Sequence, residues 1–224
     1  MINELNNRLF AFYSRLVPQL RDIIASNNKL SNPHFLFVPK DYFETRVRIM
    51  IVGQQTNGWG DKGILQRPDA TEALMKLYAE FNLGEKYTRS PFWQAALLLH
   101  RLINPNAPAR SFLWSNLVKV DQEGKRPIQE IEEQMSQLRL LQQEILITQP
   151  HAVVFFTGPY YDDRLVSCFP ELSWDTPAML LCLSHPNAEV IYLRSYHPNY
   201  LRLAKHWNLI ETIADEVKSR THGG

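Results

Sequence analysis

VRIMIVGQQTNGWG, residues 47–60, joins an apolar run to a segment of glycines and amides, and the reading of the whole chain turns on that junction. A β-rich run ending at a glycine predicts a strand over Val47–Val52, bounded by Gly53. The eight residues that follow combine backbone freedom with hydrogen-bonding side chains at Gln54, Gln55, Thr56 and Asn57. They contain no strong acid or nucleophile. A segment of this kind, placed just past a strand end, suits the lip of a pocket.

Working outward, AVVFFTG (152–158), LLCL (180–183) and EVIYLRS (189–195) read as further strands, with SHPN between the last two as a tight turn or a short crossing. FLWSNLVKV (112–120) leads into a polar connection, DQEGKR. Helices are predicted at the N-terminus, where Leu5, Leu9, Phe12, Leu16, Leu20 and Ile23 recur at helical spacing with a kink or break at Pro18, and over Asp69–Phe81 and Pro91–Ile103. A long helix is predicted from Pro127, in its first turn, to about Thr148, and a last one from about Asn199 to Lys218. LSNPHFLFVPKDY reads as a loop. Strands alternating with helices predict an α/β fold: a three-layer α/β/α sandwich around a central, mostly parallel four-stranded sheet. The expected organisation is one domain over 1–224 with an N-terminal helical extension at about 1–40.

The 224 residues are 45% apolar, enough for a sizeable core. With 24 Lys and Arg against 23 Asp and Glu, strong non-specific binding of polyanions is not expected, and any nucleic-acid contact has to come from a local patch. Cys168 and Cys182 read as buried free thiols. The first residues lack the pattern of a signal peptide and no run reaches membrane-spanning length, so the expectation is a soluble, cytoplasmic protein with no membrane partner. Oligomeric state is left open.

In a mostly parallel sheet, ligands lie beyond the carboxyl ends of the strands. Four places follow apolar runs: 53–60, 115–119, 158–163 and 196–203. No dinucleotide fingerprint, P-loop or nucleophile elbow is present. His185, His197 and His206 with Asp162 and Asp163 lack helix-borne metal spacing, so no metal is expected, and His100 reads as a packed or edge histidine. What remains is an amide-rich site of Gln54, Gln55, Asn57, Asn116 and Asn199, with His197 as its titratable member. Amides offer a donor beside an acceptor, which suits the edge of a nucleobase better than a bare phosphate.

At these residues a family resemblance emerges. SNLVKVDQEGKRPIQEIEEQMSQLRLLQQEILITQPHAVVFFTG, residues 115–158, resembles the middle of the uracil-DNA glycosylase superfamily. GQQTNGWG falls where that family has its water-positioning motif, and HPNYLR (197–202) resembles its histidine-containing motif. The three blocks agree in order and spacing from about Val47 to Arg202.

The resemblance implies a uracil-DNA glycosylase-like fold. It further implies hydrolysis of the N-glycosidic bond of uracil, or another deaminated or damaged base in DNA, with no cofactor and no lyase step. By the same resemblance Gln55 orients the attacking water and His197 donates to a carbonyl oxygen of the departing base. Gly53, Gln54, Thr56 and Asn57 line the base pocket, Trp59 stacks on the base or simply packs, and Asn116 reads the base edge or braces a turn. Lys119, Arg194, Asn199, Arg202 and Lys205 fall near the DNA backbone, and Leu201 is a wedge or the start of the last helix. The chain departs from the family at Gln55, where many members carry Asp, Glu or Asn, and at Thr56, which stands for a proline. These departures support an alternative, an inactive or repurposed member binding a nucleobase, nucleotide, nucleic acid or protein. A small-molecule hydrolase or transferase on the same scaffold is a third reading.

Overall fold

The structure, a computed structural model, describes residues 1–174, 178–185 and 189–222. Its strands are β1 (Ile49–Gln55), β2 (Leu113–Val118), β3 (Ala152–Phe155), β4 (Leu180–Leu183) and β5 (Ile191–Ser195). They form one sheet in the order β2-β1-β3-β5-β4, with β4 antiparallel at the edge and the others parallel. The sheet therefore has five strands rather than four, because Leu113–Val118 pairs with β1 along its length. The helices are α1 (Ile2–Ala25), α2 (Ala70–Phe81), α3 (Pro91–Ile103), α4 (Gln129–Gln137), α5 (Leu140–Thr148), α6 (Asp162–Cys168), α7 (Pro198–Leu203) and α8 (Leu209–His222). They cover the sheet in a three-layer α/β/α arrangement, with α3 packed on α8 and α1 on α2 and α5.

The β1 residues Ile49, Met50, Ile51 and Val52 are fully buried, as are Ala152 to Phe155 of β3. Continuous apolar runs are what a strand needs when helices cover both of its faces. The strand also runs further than its apolar part. Gly53 pairs with Asn116 and Gln55 with Val118, so the first residues of the glycine and amide segment belong to the sheet. Between β1 and β3 the strand order reverses, which opens a crevice at their carboxyl ends.

Two expected helices are each broken in two. Arg139 takes a left-handed conformation (φ 50°) between α4 and α5, at a cost of roughly 1–2 kcal/mol for a residue with a Cβ. The break lets α4 bury Ile131 and Met135 while α5 independently buries Leu141 and Ile145. Pro127 lies ahead of α4 and not in its first turn. Between α7 and α8, Lys205 is left-handed (φ 61°) and the His206 amide caps the Leu201 carbonyl at 2.8 Å. At Pro18, in contrast, α1 continues unbroken, because Pro18 is exposed and the missing N–H falls on the solvent side.

Residues 31–38, expected as a loop, run extended through the interior, with Phe35, Leu36 and Val38 fully buried. Cys168 is buried, but Cys182 on the edge strand is exposed, so only one thiol is interior. The middle of SHPN lies outside the described residues. Among the described residues, no helix is long and apolar enough to cross a membrane.

Candidate functional site

A cavity of about 610 Å³ opens at the carboxyl ends of β1, β2 and β5. Gly53, Gln54, Gln55, Thr56, Asn57, Trp59, Asn116 and His197 all line it, although they come from three separate parts of the sequence. Phe81, Tyr87, Phe92, Trp93 and Trp114 supply aromatic walls, and none of the described lining residues carries a formal charge at neutral pH. The cavity thus combines aromatic walls with convergent amide, hydroxyl and imidazole groups, and such polar groups orient a ligand in a small-molecule site.

Asn116 is 2% exposed, and its Nδ2 has no hydrogen-bond partner. Its place is fixed by the parallel pairing with Gly53, where an added Cβ would come within 2.7 Å of Asn116 Oδ1 and 3.3 Å of the Phe92 ring. Glycine at 53 thus leaves room for the amide. A buried donor without a partner costs about 1–3 kcal/mol, a deficit that a ligand acceptor would remove.

His197 caps α7. The Asn199 amide donates to its Nδ1 at 3.2 Å, so the neutral ring carries its proton on Nε2, which has no hydrogen-bond partner among the described residues. Burial pulls the imidazole pKa down from 6.5 to about 4, so it is neutral near pH 7. The Phe92 ring lies nearly parallel to it, with centroids 6.0 Å apart.

The remaining wall is held by second partners that the sequence reading missed. Asp121 accepts from Thr56 Oγ1 at 2.7 Å, from the Gly58 amide at 2.8 Å and, through its other oxygen, from the Gly124 amide at 2.6 Å. Thr56 is accordingly a buried brace. Gln54 Nε2 donates to the Thr157 carbonyl at 2.8 Å, linking β1 to the segment that follows β3. Gln55 is engaged at both ends of its amide: Nε2 donates to the Gly124 carbonyl at 3.3 Å, and Oε1 accepts from the Tyr161 hydroxyl. Trp59 packs edge-on against Phe81 and Trp114, so the indole is part of the interior as well as of the wall. A signal for Asp121 was present in the DQEG spacing, since Asp followed three residues later by Gly marks a turn.

The residues expected near a DNA backbone divide. Asn199, Arg202 and Lys205 are exposed, with Arg202 donating to Asn199 Oδ1 at 3.1 Å. Lys119, Arg194 and Leu201 are interior, which corrects their assignment. Lys119 is ion-paired with Glu144 and bonded to Ser115; burial lowers its pKa, with Glu144 opposing the shift. Arg194 is paired with Asp162, and Leu201 is fully buried, so the side chain of Leu201 is not placed to enter a duplex. His100 is a packed histidine, bonded to the Pro108 carbonyl at 3.0 Å and to Ser111. No protein-family model matches the chain, and no curated protein matches it in sequence.

Proposed function

We propose that the cavity takes one nucleobase and that the chain hydrolyses the N-glycosidic bond of uracil, or of another deaminated or damaged base, in DNA. The observation that carries this reading is the pairing, in one uncharged cavity, of an unpartnered Asn116 amide with a neutral His197 ring protonated at Nε2. The same proposal assigns the sandwich to the uracil-DNA glycosylase-like type, with support from the order of the three resembling sequence blocks.

The Asn116 amide offers a donor and an acceptor to a lactam or imide edge. As the bond between base nitrogen and sugar carbon breaks, negative charge grows on the base carbonyls, and the His197 Nε2–H stabilises it without transferring its proton. Water adds to the sugar carbon and its proton leaves to solvent, so the base departs as an anion and the backbone stays intact. Gln55 is neutral and orients the water but cannot accept its proton.

A second reading is a binding protein that holds the base and leaves the bond intact. It is favoured by the engagement of the Gln55 amide at both ends by Tyr161 and Gly124. Oligonucleotides carrying a single uracil or hypoxanthine, treated with alkali after incubation, separate the two. Strand cleavage at the modified position, lost in Asn116→Ala and His197→Ala, is the expected result. Tight, base-specific binding with no abasic product would select the second reading.

A further inference from the structure

We propose that the cavity is served by a single-stranded nucleic acid, whose bases on either side of the captured one stack on Tyr87, Tyr160 and Tyr200. This rests on the cavity taking a base. Tyr87, Tyr160 and Tyr200 are the tyrosines that stand out in solvent, 56%, 72% and 48% exposed. All three lie at the sheet's carboxyl end. Tyr87 lines the cavity, Tyr160 follows β3, and Tyr200 is three residues past His197.

Two of these rings are supported from behind. Tyr200 stacks on Tyr196 with centroids 4.5 Å apart and 24° between planes, and the Arg126 guanidinium lies 5.1 Å from the Tyr160 ring centre. Leu203, 70% exposed and one turn beyond Tyr200, extends the same apolar edge. Exposed aromatic rings of this kind form sequence-tolerant platforms for successive bases of a single strand.

Charge is placed to match. Lys86 and Arg89 flank Tyr87, Lys125 follows the cavity residue Gly124, and Arg202 and Lys205 flank Leu203; all are exposed, and none is in an ion pair among the described residues. The chain as a whole carries only +1, which gives little general attraction to any polyanion, so the attraction has to come from these local cations. Leu201, the residue whose position suits a wedge, is fully buried. An unpaired base needs no extrusion from a stack, so the missing wedge costs a single strand nothing.

The test is fluorescence anisotropy of a labelled 12-nucleotide single strand and its blunt duplex with the full chain at low salt. The single strand is expected to bind at least tenfold tighter. Tyr87→Ala and Tyr200→Ala should each weaken it about fivefold to a hundredfold, and the Phe variants should retain it. Equal or better binding of the duplex, or Ala variants that bind like the parent chain, would overturn the proposal. Binding of a free deoxynucleoside, followed separately with Asn116→Ala, reports on the cavity alone. Its failure would remove the base-pocket reading even where the strand is still held by the tyrosines.

Discussion

Ser115 to Lys119 carries two polar interiors, one on each face of β2, and they are built on opposite principles. On one face Ser115 and Lys119 meet Glu144, and Glu144 also accepts from Tyr13 at 2.7 Å, while the Tyr13 hydroxyl receives the Leu36 amide at 3.0 Å. The carboxylate has a donor at each oxygen, and the network ties α1, α5 and β2 together. On the other face Asn116 lies in a comparably dry position with its Nδ2 unpartnered. Burial is the same and satisfaction is not. A buried polar group with its bonds made specifies the fold, whereas one left without them is stabilised only when something else arrives.

Removing the Glu144 carboxylate should have the largest effect. Glu144→Ala leaves the Lys119 ammonium buried without its counter-charge and is expected to cost about 3–5 kcal/mol, read from the urea midpoint. A loss under about 1 kcal/mol would break the contrast. Asn116→Ala sharpens it from the other side. Stability should change by no more than about 1 kcal/mol, because Nδ2 has no bond to lose, while affinity for a nucleobase ligand falls about tenfold or more by calorimetry.

A third effect is on pH dependence. The folded pKa of His197, about 4, lies below its ordinary 6.5, so the native state binds fewer protons than the unfolded chain between those values. Its stabilising contribution is present above about pH 6.5 and is lost as the pH falls toward 4. His197→Gln should therefore lose less Tm than the parent between pH 7 and 4.5. Parallel acid limbs for the two proteins would show that the imidazole is not held neutral.

The sheet was legible where burial leaves one solution. The apolar runs at β1 and β3 have no other use in a chain of this composition, and α3 begins at Pro91 and ends at Ile103 as the pattern predicts. The breaks at Arg139 and Lys205 were not legible, because neither is glycine and tertiary packing imposes their left-handed conformation. The site divides along the same line. Residues at the carboxyl ends of β1, β2 and β5 fall on the cavity because strand direction places them there. Lys119, Arg194 and Leu201 carry the same local pattern, yet their fate depends on Glu144, Asp162 and the interior beneath α7, partners that a linear reading does not supply. Phe92 likewise reaches His197 only through the packing of α3 on α7.

Asp121 has a dynamic consequence. One carboxylate holds the Gly58 and Gly124 amides, which bring two separate segments into the same cavity wall, and its own backbone is tied to Ser31 by the Asp121 amide to Ser31 Oγ at 3.0 Å and the Ser31 amide to the Asp121 carbonyl at 2.9 Å. Neither segment can move away from the carboxylate without losing a bond that helps to place the other. The two segments, far apart in sequence, are therefore tied into one unit at Asp121 and are expected to open together instead of as independent loops.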